Sequence, residues 1–367
     1  MKRFVCLLAA LLMLTTCALA EEYVTLAELR EQSAQGWNET YTAMGREVAV
    51  NAEISQFPEA DACPLVSVDP LTIAEDDERL DKWRESKYSD IYALPDRLVI
   101  DVTNDKEYRL VPVGSWYGKW LVERFSYYDG EMPDREAEDC DITFAEFMPM
   151  FEADLLELTG LTLNDLHIER IEVSSPSYKG KKVNGEYVRG DKLTAAGSYY
   201  IFTKQLVQGI PVIGSHSEMD KGNIQYGYYM PEYRFLTFWS VTNPEVITED
   251  IPLLSFDAFK GKLEELIDAG NLRGVDAMRF GYGVCKDGDK WKLIPVWMVT
   301  CGYSDNPNSD KNVMPYTDSD GSLVAPIGYG EKYFNAQTGE LMERYEVNRY
   351  EESLRMPKKI LMWDDVN

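Results

Sequence analysis

The stretch QLVQGIPVIG, residues 205–214, decides how the chain is parsed. Apolar and β-branched residues flank Gly209, and Pro211 stands where a strand would continue. Proline cannot donate to a ladder, so inside a sheet it belongs at an edge or a bulge. Gly209 suits a sharp bend in the strand's path, after which Ile210 and Val212 share one face. The triplet returns at Ile294-Pro295-Val296, within KWKLIPVWMV. Both copies follow a capped helix and a first strand, which places them on equivalent strands of two like units.

The surroundings support two such units. Thr143-Phe144-Ala145-Glu146 has capping-box form and opens a helix whose Phe144, Phe147, Phe151, Leu155 and Leu158 share a face, ended by Gly160. HIERIEVSS, GSYYIFTKQLVQGIPVIG and YRFLTFWSV read as the strands that follow. Ser255 opens a second helix, with Phe259, Leu263 and Ile267 one turn apart and Gly270 at its end. MRFGYGVC, KWKLIPVWMV and EKYFNAQTGELMERYEV follow it. Upstream, Thr25-Leu26-Ala27-Glu28 caps a short helix over about 25–35, and GREVAVNAEISQF alternates as a half-buried strand. CPLVSVDPLTI, DRLVIDVTN, KEYRLVPVG and KWLVERFSYYDG are further strands, AEDDERLDKWRESKY an exposed helix, and DGEMPDREAEDCD an acidic exit rich in turn residues. The fold class expected is α+β: an α+β N-terminal domain over 21–138, then units of one helix on an antiparallel sheet over 139–250 and 251–350, and a tail over 351–367.

The first twenty residues, MKRFVCLLAALLMLTTCALA, join a basic start to a short apolar run and end in Ala18-Leu19-Ala20. That is the form of an export signal, too short to span a bilayer comfortably. Cleavage after Ala20 is one reading; a lipid anchor on Cys17 is the other. No later stretch is apolar for long enough to be a membrane helix. Loss of residues 1–20 removes Lys2 and Arg3 and no acid, taking the net charge from −26 to −28. Such acidity argues against nucleic acid and anionic membranes as partners and favours cations or basic proteins. The 23 tyrosines suit β-sheet surfaces or carbohydrate contact, with sheet packing the preferred reading.

Cys63, Cys140, Cys285 and Cys301 lie beyond the leader. Lys286-Asp287-Gly288-Asp289 reads as a hairpin turn, which puts Cys285 beside the turn and Cys301 far along the returning strand. At about 3.4 Å per residue the two are too far apart to bond. A Cys63–Cys140 bond stays open. Catalytic groups are scarce. His167 and His216 are the only histidines, too few for a paired-histidine zinc site with a separate triad. Ser215, His216, Ser217 and Glu218 are adjacent, so their side chains diverge. His167 reads as an outward strand residue. Asp318-Ser319-Asp320-Gly321 and residues 304–312 hint at calcium but miss the EF-hand spacing. No Gly-rich phosphate loop occurs.

Gln205, Gly209, Ile210, Pro211 and Val212 form one motif. Asn335, Ala336, Thr338, Gly339 and Glu340 form another, preceded by the strand Leu293 to Trp297. On these residues the stretch from about 140 to 350 resembles the PepSY superfamily and its propeptide relatives, which are exported or membrane-facing modules. The tandem arrangement resembles the YycH/YycI type of accessory regulator. In physical terms Asn-Ala-x-Thr-Gly is a turn, with Asn and Thr bonding nearby backbone and Gly at positive φ. The expected function is therefore a non-enzymatic exported binding or regulatory protein at the cell surface. It has no catalytic, cofactor-binding or metal-binding residues and no cofactor, and its partner is another exported or membrane protein. The alternatives are a carboxylate-based hydrolase of cell-wall or glycan material and, as the propeptide relatives imply, an inhibitor of a secreted protease.

Overall fold

In the computed structural model the chain reverses at QLVQGIPVIG instead of bending. The structure describes residues 23–43, 45–74, 76–85, 88–94, 97–103, 120–121, 124–128, 130–183, 186–213, 223–230, 233–287, 290–303, 316–317, 323–324 and 328–342. Gln208 (φ 53°) and Gly209 (φ 75°) are both left-handed, the pattern of a two-residue type I′ hairpin turn. Val207 faces Ile210 and Leu206 faces Pro211 across it. Ile210 and Val212 are fully buried. Buried Gln205 acts as an extra piece of backbone: its amide donates to Val241 O and accepts from Val241 N, both at 2.8 Å.

The second copy does different work, which corrects the expectation of equivalent strands. Leu293–Val296 lies inside Lys290–Tyr303, paired along its length with Leu272–Asp287 and from Val296 onward with Gly328–Asn335. Pro295 O accepts from Ala336 N at 3.0 Å. Its missing N–H therefore faces the point where Gly328–Asn335 turns away, and costs no ladder bond.

The architecture is α+β. Among the described residues the α-helices, in chain order, are α1 (Leu26–Ser33), α2 (Asp81–Arg84), α3 (Phe144–Thr159) and α4 (Phe256–Asp268). The chain divides into two units, but not at the expected boundaries. Ser67–Glu245 is inserted into a discontinuous unit made of the residues up to Val66 and those from Val246 on. The stretch 21–138 is thus no domain of its own. Its hairpins are too small to stand alone, and each half completes another sheet.

In the inserted unit seven strands lie side by side, all antiparallel: Tyr88–Leu94, Arg97–Thr103, Tyr233–Phe238, Asn223–Met230, Ser198–Val207, Leu166–Ser174 and Arg124–Tyr128. Helix α3 lies on this sheet. Thr143 and Glu146 form the predicted capping box, and Gly160 (φ 73°) ends the helix. Phe147, Phe151, Leu155 and Leu158 are fully buried, with Phe147 and Phe151 ring-to-ring with Tyr226 at 5.5 and 5.4 Å. The expected exposed helix over AEDDERLDKWRESKY shrinks to a 3₁₀ turn and the four residues of α2. It is no exposed element, because Leu80 and Trp83 enter the same core.

In the discontinuous unit six strands lie side by side: Trp37–Ala43, Arg46–Ile54, Leu272–Asp287, Lys290–Tyr303, Gly328–Asn335 and Leu341–Met342. Neighbours are antiparallel except Arg46–Ile54 with Leu272–Asp287, which are parallel. Helix α4, capped by Ser255, buries Phe256, Phe259, Leu263 and Ile267, with Phe259 stacked on Trp297 at 5.5 Å. The segment before Val66 is tied in by Val24 pairing with Leu253 and by Gln32, whose amide oxygen accepts from Phe256 N.

FNAQTGE is the turn its residues specify. Asn335 Oδ1 accepts from Gln337 N at 2.8 Å and Thr338 N at 3.3 Å, and Thr338 Oγ1 accepts from Glu340 N. Gly339 (φ 69°) has Lys262 and Leu254 where a side chain would go. Cys63, Cys140, Cys285 and Cys301 are all free thiols. Cys285 faces Lys292 while Cys301 faces Val275, which keeps those two apart as the hairpin reading required. Among the described residues no helix is long and apolar enough to cross a membrane.

The central hairpin of the discontinuous unit offers a stability test. A β-carbon on Gly283 would lie 2.9 Å from Val296 Cγ1, and Val296 is fully buried. Val296→Ala is expected to cost about 1–3 kcal/mol by leaving a cavity, and Gly283→Ala a similar amount by overpacking. The double variant should lose less than the two single losses together, as read by urea unfolding.

Candidate functional site

DGEMPDREAEDCD, expected to be a connecting exit, is instead a strap fastened to the sheet of the inserted unit. Three tyrosines hold it, each on a different strand. Tyr127 Oη donates to Asp134 Oδ1 at 2.5 Å. Tyr228 Oη reaches both carboxylate oxygens of Asp141 at 3.0 Å. Tyr199 Oη donates to Glu136 and accepts from Ala137 N at 2.9 Å. Tyr199 and Tyr228 are cross-strand partners, so the sheet register itself sets the spacing of these clasps.

The strap also prepares the start of α3. Glu136 Oε2 accepts from Phe144 N at 2.7 Å, placing a negative charge on the unpaired donors of the helix's first turn. Ala137 is buried and Cys140 and Ile142 pack on the core. Gly197 crosses beneath: its N–H donates to Glu138 O at 2.8 Å. Any β-carbon there would meet that oxygen at 2.5 Å and Ser174 O at 2.9 Å. Only glycine permits so close an approach.

Burial, then the facing carboxylates, push the Tyr199 and Tyr228 hydroxyls far above the usual phenol range. The Tyr127 hydrogen bond holds Asp134 below the usual carboxylate value. These tyrosines therefore act as permanent donors. The strap's outer side carries exposed Glu131, Glu138 and Asp139, beside Tyr128 and Met132, which are 56% and 55% exposed. Arg135, the strap's base, lies 3.6 Å over the Phe125 ring. The exposed side chains of the strap and its flank are thus acids, one base, an aromatic and a thioether, on a backbone that the clasps hold in place.

A second polar cluster lies under α3. Asp154, 5% exposed, accepts from Lys82 Nζ at 2.7 Å and Tyr226 Oη at 2.8 Å, with Arg234 Nη1 at 3.9 Å. Burial and then the charge of Asp154 keep Tyr226 protonated far beyond its usual range. With Lys82 on Asp154 and Glu157 together, this is a closed network tying α2 and α3 to two strands. It offers no open acid or base.

His167 supplies no chemistry to either cluster. His167 faces Lys204 across the sheet but is half-buried, not outward, because Tyr200, Glu172 and Lys204 are buried on the same face. Its Nε2 is enclosed and makes no hydrogen bond. Ser215, His216, Ser217 and Glu218 lie outside the described residues, as do 304–312 and Asp318-Ser319-Asp320-Gly321. Among the described residues no three His, Cys, Asp or Glu side chains are grouped to hold a metal. The strap was missed in the sequence because its acids read as solvated. The signal that could have found it is the coincidence of many tyrosines with many acids and few bases.

No protein-family model matches the chain, and no curated protein matches it. Among solved structures, the crystal structure of an uncharacterized protein from Eubacterium rectale is similar over 86% of this chain and 97% of that chain, at 12% identity and a TM-score of 0.46.

Two outcomes follow from the clasps. Gly197→Ala and, separately, Tyr199→Phe should free the strap, so that trypsin cleaves after Arg135 faster than in the wild type; Tyr199→Phe leaves an acceptor and an N–H unmet, at about 1–3 kcal/mol. Spectrophotometric titration should show the second. Tyrosine ordinarily ionises near about 10. The folded values of Tyr199 and Tyr228 are raised, so their stabilisation is complete below that pH and is lost as pH climbs toward the folded values. Their absorbance change should therefore appear only together with alkaline unfolding.

Proposed function

We propose that this chain is an exported, non-enzymatic binding or regulatory protein that works at the cell surface by engaging another exported or membrane protein. The strap is the observation that carries this reading. Tyr127, Tyr199 and Tyr228 spend three hydrogen bonds on fixing a surface loop whose exposed side chains are mostly acids, with Met132 and Arg135 among them and Tyr128 at its start. Exposed aromatic and methionine side chains are favoured at interfaces, and a rigid loop gives up little entropy on binding. The acids select a basic partner and speed its approach. The export-type leader over residues 1–20 and the likeness of two motifs to PepSY modules support the same reading.

A photo-crosslinking residue in place of Met132, used in intact producing cells, tests the proposal. One envelope protein should be captured, and Glu138→Lys with Asp139→Lys should abolish its capture without altering the fold. Turnover of peptidoglycan or glycan by the purified protein, lost on one Asp or Glu substitution, would replace this reading with the hydrolase. Stoichiometric inhibition of a secreted protease would replace it with the inhibitor.

A further inference from the structure

Strand Val241–Thr248 stands at the end of a sheet, and among the described residues its ladder partner is Leu65–Pro70. The bonds that flank this pairing lie on one edge: Ser240 O accepts from Leu71 N and Ile251 N donates to Cys63 O, both at 2.9 Å. In an antiparallel pair the backbone groups of successive residues point to opposite edges. Val241, next to Ser240, therefore directs its N–H and C=O to the other edge, where the Gln205 amide takes both. That side chain shows what the second edge accepts, a peptide-like donor and acceptor laid alongside. Past Pro244 the strand runs on through Val246, Ile247 and Thr248, which open the second segment of the discontinuous unit.

Every residue over 243–250 is exposed. Val246 is 40% exposed and Ile247 49%. Alternation puts these two on opposite faces, so neither face of the strand is packed there. A β-branched run at a sheet edge with two bare faces is a template for one more strand. Charge decides which strand it takes. Glu245 lies two residues before Ile247 and on its face, and Glu249 follows two residues after it. A second copy of this chain laid antiparallel about Ile247 would set Glu245 of each copy against Glu249 of the other, and like charges directly opposite are destabilising. A segment with a lysine or arginine two residues to either side of an apolar residue instead sets a base against each acid and the apolar side chain against Ile247. That pattern reads the same in either chain direction.

We propose that residues 246–248, flanked by Glu245 and Glu249, are a docking edge that takes up an extended basic segment of a partner as an added strand. The inference does not rest on the strap, which is a different surface.

Fluorescence anisotropy of a labelled peptide, Thr-Lys-Thr-Val-Thr-Lys-Thr, titrated with the full-length protein tests it. The peptide should bind, and its counterpart with both lysines replaced by glutamate should bind about tenfold more weakly. Methylating the backbone nitrogens of its Thr-Val-Thr centre removes ladder donors and keeps the charge; it should weaken binding about three- to tenfold. Glu245→Lys with Glu249→Lys, both exposed positions, should invert the preference, so that the glutamate peptide binds the better. Glu138→Lys with Asp139→Lys on the strap should leave binding unchanged. A lysine peptide that does not bind, that tolerates methylation, or that responds to the strap substitutions and not to those at Glu245 and Glu249 would overturn the docking edge. So would a concentration-dependent dimer of the wild type that Ile247→Lys breaks, since a second copy would then occupy the edge.

Discussion

A hydrogen bond from a sheet tyrosine to a carboxylate recurs in both units, and much of the structure depends on it. The chain has 63 acids against 37 lysines and arginines, so cations cannot answer every acid that folding brings to the surface of a core. Tyr127, Tyr199 and Tyr228 answer the acids of the strap, Tyr226 answers Asp154, and Tyr41 answers Glu264. A phenol suits this task. Its ring fills core volume while its hydroxyl reaches the edge of the sheet as a donor. Lysine in the same place would have to bury an ammonium.

This constraint links packing to function. The ring contacts that seat α3 on its sheet also aim the hydroxyls at the strap, so the strap is as rigid as the core beneath it. Its acids are then presented by a scaffold. At Asp154 a cation shares the task, with Lys82 and Tyr226 bonding the two carboxylate oxygens.

The discontinuous layout has a similar physical root. Arg46–Ile54 and Trp37–Ala43 form a hairpin with too little apolar surface to stand alone. Pairing with Leu272–Asp287 joins segments more than two hundred residues apart in sequence, and burying Val48, Val50 and Ala52 helps to offset that closure cost. The inserted unit can fold within this frame because the residues between Ser67 and Glu245 carry their own helix and sheet.

Local physics was legible in the sequence alone. The three capped helices α1, α3 and α4, the Asp-Gly hairpin, the buried Phe and Leu faces and the Asn335 turn all depend on residues within one or two turns of each other. The α+β class followed from them. What the sequence could not decide was anything set at long range. Whether 21–138 is a domain depends on which distant edges its hairpins meet. Whether DGEMPDREAEDCD is a linker or a strap depends on three hydroxyls that arrive from strands up to 87 residues away. Periodicity reports which side of an element is apolar; only the folded sheet fixes which tyrosine meets which acid.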